Sequence, residues 1–276
     1  MLQKFTTSLI VILTFSIFSL THVFATSSLL KIQPSFQEIT ITENDVQKQV
    51  LLTIENTTLD DITFTFDVLD IRQVDLQGNI GLVEKPTSND NPKAWFIDTP
   101  DSVLVKSNEN KEVIIHIKNS IDLLPGGHYV AVVAKSSQQA NQDNFQVFPA
   151  LSTFLLVKKE GGELYQLVLK KSLDVPAISF SFPRHVTLTF ENTGNVHVKP
   201  YGLVTLSDAF NRVIRKGIIN ESSQIILPAA QREYIVPLRT LHFGWPFMLY
   251  RLTVTGHTDF GNVEYNESTS FLYVSP

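Results

Sequence analysis

Hydrophobic and polar residues alternate with a period of two along most of the chain. A period of two buries one face of a strand and leaves the other in water, as in a sandwich of antiparallel sheets. No segment after the N-terminal apolar run shows a sustained helical period. The clearest alternating runs are residues 39–42, 50–55, 113–118, 186–191 and 250–255.

Turn-forming residues separate these runs and set the length of the predicted strands. Gly, Pro, Asn and Asp favour chain reversal, and short strands with regular turn signals are typical of an all-β sandwich. The sequence therefore predicts an all-β fold of antiparallel sheets. The turn signals fall at residues 77–79, 88–92, 99–101, 125–127, 192–195 and 260–262.

An internal repeat divides the chain into two similar halves. Val50–Thr57 and Val186–Thr193 are identical at six of eight positions, and both end in Glu-Asn-Thr. The Asn and Thr side chains can bond nearby backbone, so turn formation explains the motif better than a binding role does. Two copies of about 110–130 residues each indicate two tandem immunoglobulin-like sandwich domains.

A second pair of matching residues follows in each half. Pro125 precedes Tyr129 by four residues, as Pro246 precedes Tyr250. Because each tyrosine begins an apolar strand, we expect its ring to pack in the core and its hydroxyl to bond a loop.

The N-terminus has the three parts of a secretory signal peptide. Lys4 supplies a positive charge, an apolar run covers residues 9–24, and Ala25 ends a small-residue cleavage site. This pattern predicts export with cleavage after Ala25, since the run is short for a membrane span. We assign residues 1–25 to the signal, 26–159 to the first sandwich domain and 160–276 to the second, with Gly161-Gly162 as the hinge.

Composition excludes several classes of function. There are no cysteines, so disulfides, thiolate zinc sites and cysteine nucleophiles are excluded. The formal net charge is −5, without an obvious basic cluster in the sequence. That balance argues against nucleic acid as a partner and against electrostatic binding to anionic lipid. We expect no cofactor.

Catalytic and metal-binding signatures are not evident, so the sequence predicts a protein that is not an enzyme. His116, His185 and His197 fall on the polar faces of predicted strands, which indicates surface histidines rather than metal ligands. The acidic loops at 88–91 and 98–101 lack the spacing of a known calcium loop. No nucleophile elbow or paired carboxylate motif accompanies them.

The order of motifs in the first half resembles the N-terminal peptidoglycan-binding domain of WxL-interacting bacterial surface proteins. The matching pieces are Ile39–Ile41, Val50–Thr57, Gly78–Ile80, Ala94–Phe96, Glu112–Ile117 and Leu124–Tyr129. Residues 191–200 of the second half resemble the sandwich domain that follows in that family. The resemblance implies a cell-surface protein that contacts peptidoglycan.

The two tryptophans are the candidate ligand-binding residues. Strand alternation turns either Trp95 or its neighbour Phe96 outward, and Trp245 lies in a loop before a core strand. An exposed indole could stack on a sugar, whereas a buried one would be an ordinary sandwich core residue.

Two functions follow from these observations, and a third is kept in reserve. The first is a non-catalytic, exported binding or scaffold protein that contacts cell-wall glycan or a surface protein. The alternative is a periplasmic chaperone-like protein that acts by β-strand addition, with Leu151–Val157 as the candidate edge strand. A hydrolase with dispersed catalytic residues is the third.

Overall fold

The structure is a computed structural model that describes residues 29–83, 95–97, 99–137, 140–142, 145–147, 149–171, 175–260 and 263–275. The predicted signal peptide and the acidic loop at 88–91 lie outside the described residues. Within the described part, every regular element is a strand, and no helix is long and apolar enough to cross a membrane.

Strands β1 to β12 form the first half of the molecule. Their bounds are β1 Leu30–Gln33, β2 Phe36–Ile41, β3 Gln47–Asn56, β4 Ile62–Gln73, β5 Ile80–Val83, β6 Phe96–Ile97, β7 Ser102–Val105, β8 Glu109–Lys118, β9 Gly126–Ser136, β10 Ala140–Gln142, β11 Phe145–Val147 and β12 Ala150–Lys159.

Strands β13 to β21 form the second half. Their bounds are β13 Leu167–Lys171, β14 Ile178–Ser179, β15 His185–Asn192, β16 Pro200–Asp208, β17 Val213–Ile219, β18 Gln231–Pro237, β19 Arg239–Thr240, β20 Met248–Thr258 and β21 Glu264–Tyr273.

Each half is a sandwich of two sheets. In the first, a sheet ordered β1-β3-β8-β6 faces a sheet ordered β2-β12-β9-β4-β5, with β7 also paired to β4. In the second, β13-β15-β18 faces β14-β21-β20-β16-β17-β19. The chain is therefore an all-β protein of two immunoglobulin-like sandwiches, as the alternating pattern predicts.

The topology of the two halves repeats, which explains the repeat in the sequence. β1-β3-β8 corresponds to β13-β15-β18, and β2-β12-β9-β4 corresponds to β14-β21-β20-β16. In both halves the first strand of the domain joins one sheet and the second strand joins the other. This second strand runs parallel to the last strand of the domain. These two parallel pairs depart from the expected antiparallel pattern, because a chain that crosses between sheets meets the last strand in the same direction.

Each sandwich has its own hydrophobic core. One cluster draws on residues between Ile32 and Val157, and the other on residues between Leu167 and Phe271. The alternating residues of β3 and β15 lie at the centre of each: Val50, Leu52 and Ile54 in the first, and Val186, Leu188 and Phe190 in the second. Burial of this apolar surface is the main stabilising contribution to each domain.

The asparagine of each Glu-Asn-Thr motif is fully buried and binds the turn that follows. Asn56 Nδ2 donates to the carbonyls of Asp60, Val105 and Lys106 at 2.8, 3.1 and 3.2 Å. Asn192 Nδ2 donates to Val196 O and Ile226 O at 2.8 and 2.9 Å. The turn-forming interpretation of the motif is therefore confirmed, since both amides satisfy buried backbone carbonyls.

The matching tyrosines do not occupy equivalent places. Tyr250 is fully buried in the second core, and its hydroxyl donates to Trp245 O at 2.9 Å, as expected. Tyr129 points to the outer face of its sheet, while Val130 and Val132 face the core. The aligned residues of β9 and β20 are therefore one position out of register in the structure. A shift of one residue turns a strand side chain from the core face to the outer face.

Candidate functional site

The outer face of the β2-β12-β9-β4-β5 sheet carries an apolar surface. Leu69, Ala131, Phe154 and Phe36 are direct cross-strand neighbours on four adjacent strands. Phe36 is 44% exposed, while Ala131 is fully covered by its neighbours. We call these four residues the apolar row. Leu69 and Phe154 are partly buried, so the exposed part of the row is centred on Phe36, where it can contact another protein.

Near the start of β9, the sheet contacts the second domain through Tyr129, which packs against His197. The Tyr129 hydroxyl accepts a hydrogen bond from the backbone N–H of His197 at 2.6 Å. Their rings meet edge to face with centroids 5.8 Å apart. Burial raises the pKa of Tyr129 well above its ordinary value, so the hydroxyl stays neutral.

An ion-pair network lies beside this contact. Lys199 Nζ is 2.9 Å from Glu38 Oε1 and 3.8 Å from Asp259 Oδ2, so one ammonium links a carboxylate of each domain. Burial opposes the charge on Lys199, but the hydrogen bond and the charge of Glu38 outweigh it, and the pKa of the ammonium is raised. Lys199 therefore remains a cation at neutral pH and joins the two domains.

The linker between the domains is held by side chains. Asn195 Nδ2 donates to Gly162 O at 2.8 Å, and its Oδ1 accepts from Leu164 N at 2.7 Å. The carbonyl of Asn195 accepts the N–H of Gly127 at 2.8 Å, which ties the linker to β9. Through Asn195, the predicted hinge at Gly161-Gly162 is therefore held both to the second domain and to β9 of the first.

A second contact between the domains forms at the other edge of the sheet. The loop between β4 and β5 bonds to β18, where Glu233 N donates to Leu76 O at 2.8 Å. Gly78 has a φ of 87° and lies so near Arg232 that a Cβ would fall 2.3 Å from its guanidinium carbon. Only glycine fits this turn without moving the arginine.

His197 is buried at 8% exposure, although the sequence pattern predicts a surface histidine. The prediction fails because the polar face of this segment is covered by the other domain, which strand alternation does not reveal. Burial lowers the pKa of His197, while the nearby Glu38 opposes that shift. Lys158, Lys199, Asp259 and Tyr165 surround the same ring region. The neutral imidazole is therefore favoured in the folded state.

Acidification should weaken the fold through His197. Because its folded pKa is lowered, the unfolded chain takes up the proton first, so this stabilising contribution is complete above about pH 6.5 and is lost as pH falls through the folded pKa. One such proton contributes a slope of up to about 1.4 kcal/mol per pH unit. Urea unfolding at several pH values should show a smaller slope for His197→Gln than for the parent. Equal slopes in the parent and in His197→Gln would contradict the assignment.

β12 has one open edge over its first half. Residues 150–153 pair with β9 on one side, and the parallel pairing with β2 begins only at Phe154. The Thr153 hydroxyl donates to Pro34 O at 2.6 Å, so the open part of the edge is residues 150–152. The predicted edge strand Leu151–Val157 is therefore only partly an edge, because its second half is bonded on both sides and Leu155 to Val157 are buried.

Hydrogen bonds identify which backbone groups face the open edge. Phe154 N donates to Ser35 O at 3.0 Å, so even-numbered residues of β12 direct their polar groups towards the β2 side. Pro149 O accepts Ser136 N at 3.0 Å, so odd-numbered residues face β9. The N–H and C=O of Ser152 therefore point to the open side, where a further strand could pair.

A comparable edge in the second domain is protected by charge. β21 pairs with β20 along its length but with β14 only at Leu272 and Tyr273. Its remaining edge includes Glu264 and Glu267, and charged residues on an edge discourage pairing with another chain. Residues 150–153 have no charge. The edge of β12 is thus the better site for strand addition.

The two tryptophans lie in opposite environments. Trp95 is 1% exposed and packs in the first core against Phe96 and His128, so it has no ring face free for a sugar. Trp245 is 60% exposed, and stacking on a sugar there stays a prediction. Within the described residues, no group of three or more His, Asp or Glu side chains is arranged to hold a metal ion.

Sequence reasoning missed two parts of this site. The apolar row joins residues from four strands that are far apart in sequence, and no local pattern marks it. The Glu38–Lys199 pair connects residues 161 positions apart. A signal was present for the open edge, since residues 150–153 are uncharged.

Comparison with protein-family models finds no match, and comparison with curated protein sequences finds none either. Among solved structures, a chain of the chaperone–tip adhesin complex of CFA/I fimbriae is 12% identical with a TM-score of 0.47, covering 90% of this chain and 100% of that one. The class 5 fimbriae chaperone CfaA is 11% identical with a TM-score of 0.45 and the same coverage. The E. coli chaperone DraB is 14% identical with a TM-score of 0.41, covering 88% of this chain and 96% of DraB. At identities this low the likeness concerns the fold alone.

Proposed function

We propose that this chain is an extracytoplasmic, non-catalytic binding protein that holds an extended segment of a partner protein by β-strand addition. The observation that carries the proposal is the open edge of β12, where the backbone polar groups of Ser152 face away from β9. An added strand satisfies those groups with main-chain hydrogen bonds, and alternate side chains supply specificity. The predicted signal peptide supports an extracytoplasmic location for the chain.

The apolar row supports the same function. It lies on the sheet that contains β12, and Phe154 belongs both to the row and to the residue pair that ends the open edge. A partner strand on β12 would bring the body of the partner towards this face. Main-chain hydrogen bonds to β12 would hold the partner strand, and contacts with the apolar row would bury apolar surface of the partner.

Replacement of Ser152 by proline should weaken strand addition without unfolding the domain. Proline removes the N–H that faces the open edge, while the hydrogen bonds to β9 come from the odd-numbered residues and remain. We expect binding of a twelve-residue peptide of alternating valine and threonine to weaken about tenfold or more. Fluorescence polarisation of the labelled peptide measures this affinity.

Ser152→Ala is the matched control, because it keeps the N–H and changes the side chain to a similar size. It should bind the peptide as the parent does. Hydrogen exchange should show protection of the Ser152 amide in the bound parent. Unchanged binding by Ser152→Pro in a folded protein would exclude β12 as the site of strand addition.

The peptidoglycan-binding function implied by the family resemblance is a second candidate. One observation favours it: Trp245 presents an exposed indole. Sedimentation with insoluble peptidoglycan should then retain the parent and lose Trp245→Ala. Retention of both proteins, or of neither, would remove Trp245 as a glycan site.

A further inference from the structure

One end of the second domain exposes a group of large apolar side chains on two neighbouring loops. We call them the aromatic rim. Their exposed fractions are 80% for Phe210, 52% for Leu241, 94% for Phe243, 60% for Trp245 and 72% for Phe247. Soluble monomers seldom place so many apolar rings together in water, and such patches mark a binding surface.

The two loops of the rim are bonded to each other and to the sheet. Arg212 Nη2, in the turn that carries Phe210, donates to Phe243 O at 3.4 Å. Leu241 N donates to Ile214 O at 2.8 Å, and the Tyr250 hydroxyl donates to Trp245 O at 2.9 Å. The exposed rings therefore project from a fixed base.

The apolar surface continues from the rim onto the adjoining sheet. Ile178, Leu272 and Leu249 are cross-strand neighbours on β14, β21 and β20, and their exposures are 54%, 37% and 54%. Leu249 is two residues from Phe247, so rim and sheet form one surface.

The segments that carry the rim, and the strands next to them, are basic. Segments 178–190, 209–219 and 238–251 contain six Arg or Lys residues and no Asp or Glu, although the whole chain has a net charge of −5. The six are Arg184, Arg212, Arg215, Lys216, Arg239 and Arg251.

Two carboxylates from flanking residues reduce this charge. The buried Asp208 pairs with Arg212 at 3.0 Å, and Glu221 lies 3.7 Å from Arg239, whose side chain is 77% exposed. The remaining four cations leave the end of the domain positive.

We infer that the aromatic rim docks on the surface of an anionic lipid bilayer. Trp and Phe favour the boundary between headgroups and acyl chains, and Arg and Lys bind the anionic headgroups beside them. Aromatic rings that project from loops insert readily into the interfacial region of a bilayer. The basic border fixes the charge of the acceptor as negative. The net charge of −5 argues against anionic lipid as a partner, but binding at this end would depend on the local charge rather than on the total.

Vesicle sedimentation tests this inference with the chain from residue 26 onward. Vesicles of phosphatidylcholine with about 30% phosphatidylglycerol should bind the protein, and vesicles of phosphatidylcholine alone should bind it about tenfold more weakly. Raising NaCl to about 0.5 M should also weaken binding. Trp245 is the exposed tryptophan, so its emission should shift to shorter wavelength on binding.

The double variant Phe243→Ser/Phe247→Ser removes two rim side chains without touching a core, and it should bind the anionic vesicles about tenfold more weakly. Ile121→Ser is the matched control, since Ile121 is 90% exposed on the first domain; it should bind as the parent does. Equal binding by the rim variant and the control would overturn the inference, as would equal binding to both kinds of vesicle. A dimer of the parent that the rim variant dissociates, in gel filtration without lipid, would assign the rim to a second copy of the chain instead.

Discussion

Trp95→Ala should lower the free energy of unfolding of the first domain by about 3–5 kcal/mol, the range for removing a large buried aromatic side chain. Trp95 is 1% exposed and lies in the core with Val50, Leu52 and Ile115. Its carbonyl accepts Lys118 N at 2.8 Å, so the backbone around the ring is also part of the sheet. The cavity left by the indole cannot be filled by the neighbouring side chains without moving the strands.

Urea unfolding followed by circular dichroism measures this effect, and Trp245→Ala is the matched control. Trp245 is 60% exposed, so its replacement should change the free energy of unfolding by less than about 0.5 kcal/mol. The emission of Trp245→Ala should come from a buried indole, and that of Trp95→Ala from an exposed one. Equal stabilities of the two variants would contradict the burial of Trp95. A ligand-binding defect in Trp95→Ala would follow from lost stability rather than a lost contact.

Asn56→Ala and Asn192→Ala should each lower the free energy of unfolding by about 2–3 kcal/mol. Each removes the amide group that donates hydrogen bonds to buried backbone carbonyls. Asn56 serves three carbonyls and also accepts Thr58 N at 3.0 Å. Asn192 serves two and accepts Gly194 N at 2.9 Å. An unsatisfied carbonyl in the interior costs more than the net contribution of the hydrogen bond it loses.

Calorimetry can assign each asparagine to its domain. Asn56→Ala should lower the melting temperature of the first domain and Asn192→Ala that of the second, with a smaller change in the other domain through the Tyr129–His197 contact. Asn266→Ala, at an exposed position on β21, should leave both unchanged. If Asn56→Ala and Asn192→Ala have the same melting temperatures as the control Asn266→Ala, the two buried amides do not stabilise the protein.

Local alternation of apolar and polar residues was enough to predict the strands of the core. It was not enough to predict which strands and side chains pack beside them. The pattern of Val50, Leu52 and Ile54 identifies a strand with one buried face, and that face is buried in the structure. For Trp95 and Phe96 the pattern leaves two choices, because adjacent residues in a strand point to opposite faces and both are aromatic. The side that is buried depends on where β8 and His128 lie, which is not local information.

The charge of the second domain illustrates the same limit. Net charge is a sum over the chain, whereas binding depends on which charges lie together. Arg184, Arg212 and Arg239 come from separate segments, and the sheet pairing between β17 and β19 and the hydrogen bond from Leu238 N to Arg184 O bring those segments to one end.

The sequence by itself determined the all-β class, the duplication and the role of the two buried asparagines, because alternation, repetition and turn chemistry are properties of neighbouring residues. The tertiary structure alone decided the open edge of β12, the burial of His197 between the domains and the exposure of Trp245. Each of these depends on contacts between residues distant in the chain. Lateral strand pairing and domain contact determine whether a strand has a free edge and whether a polar face meets water, and an alternating pattern is the same in either case.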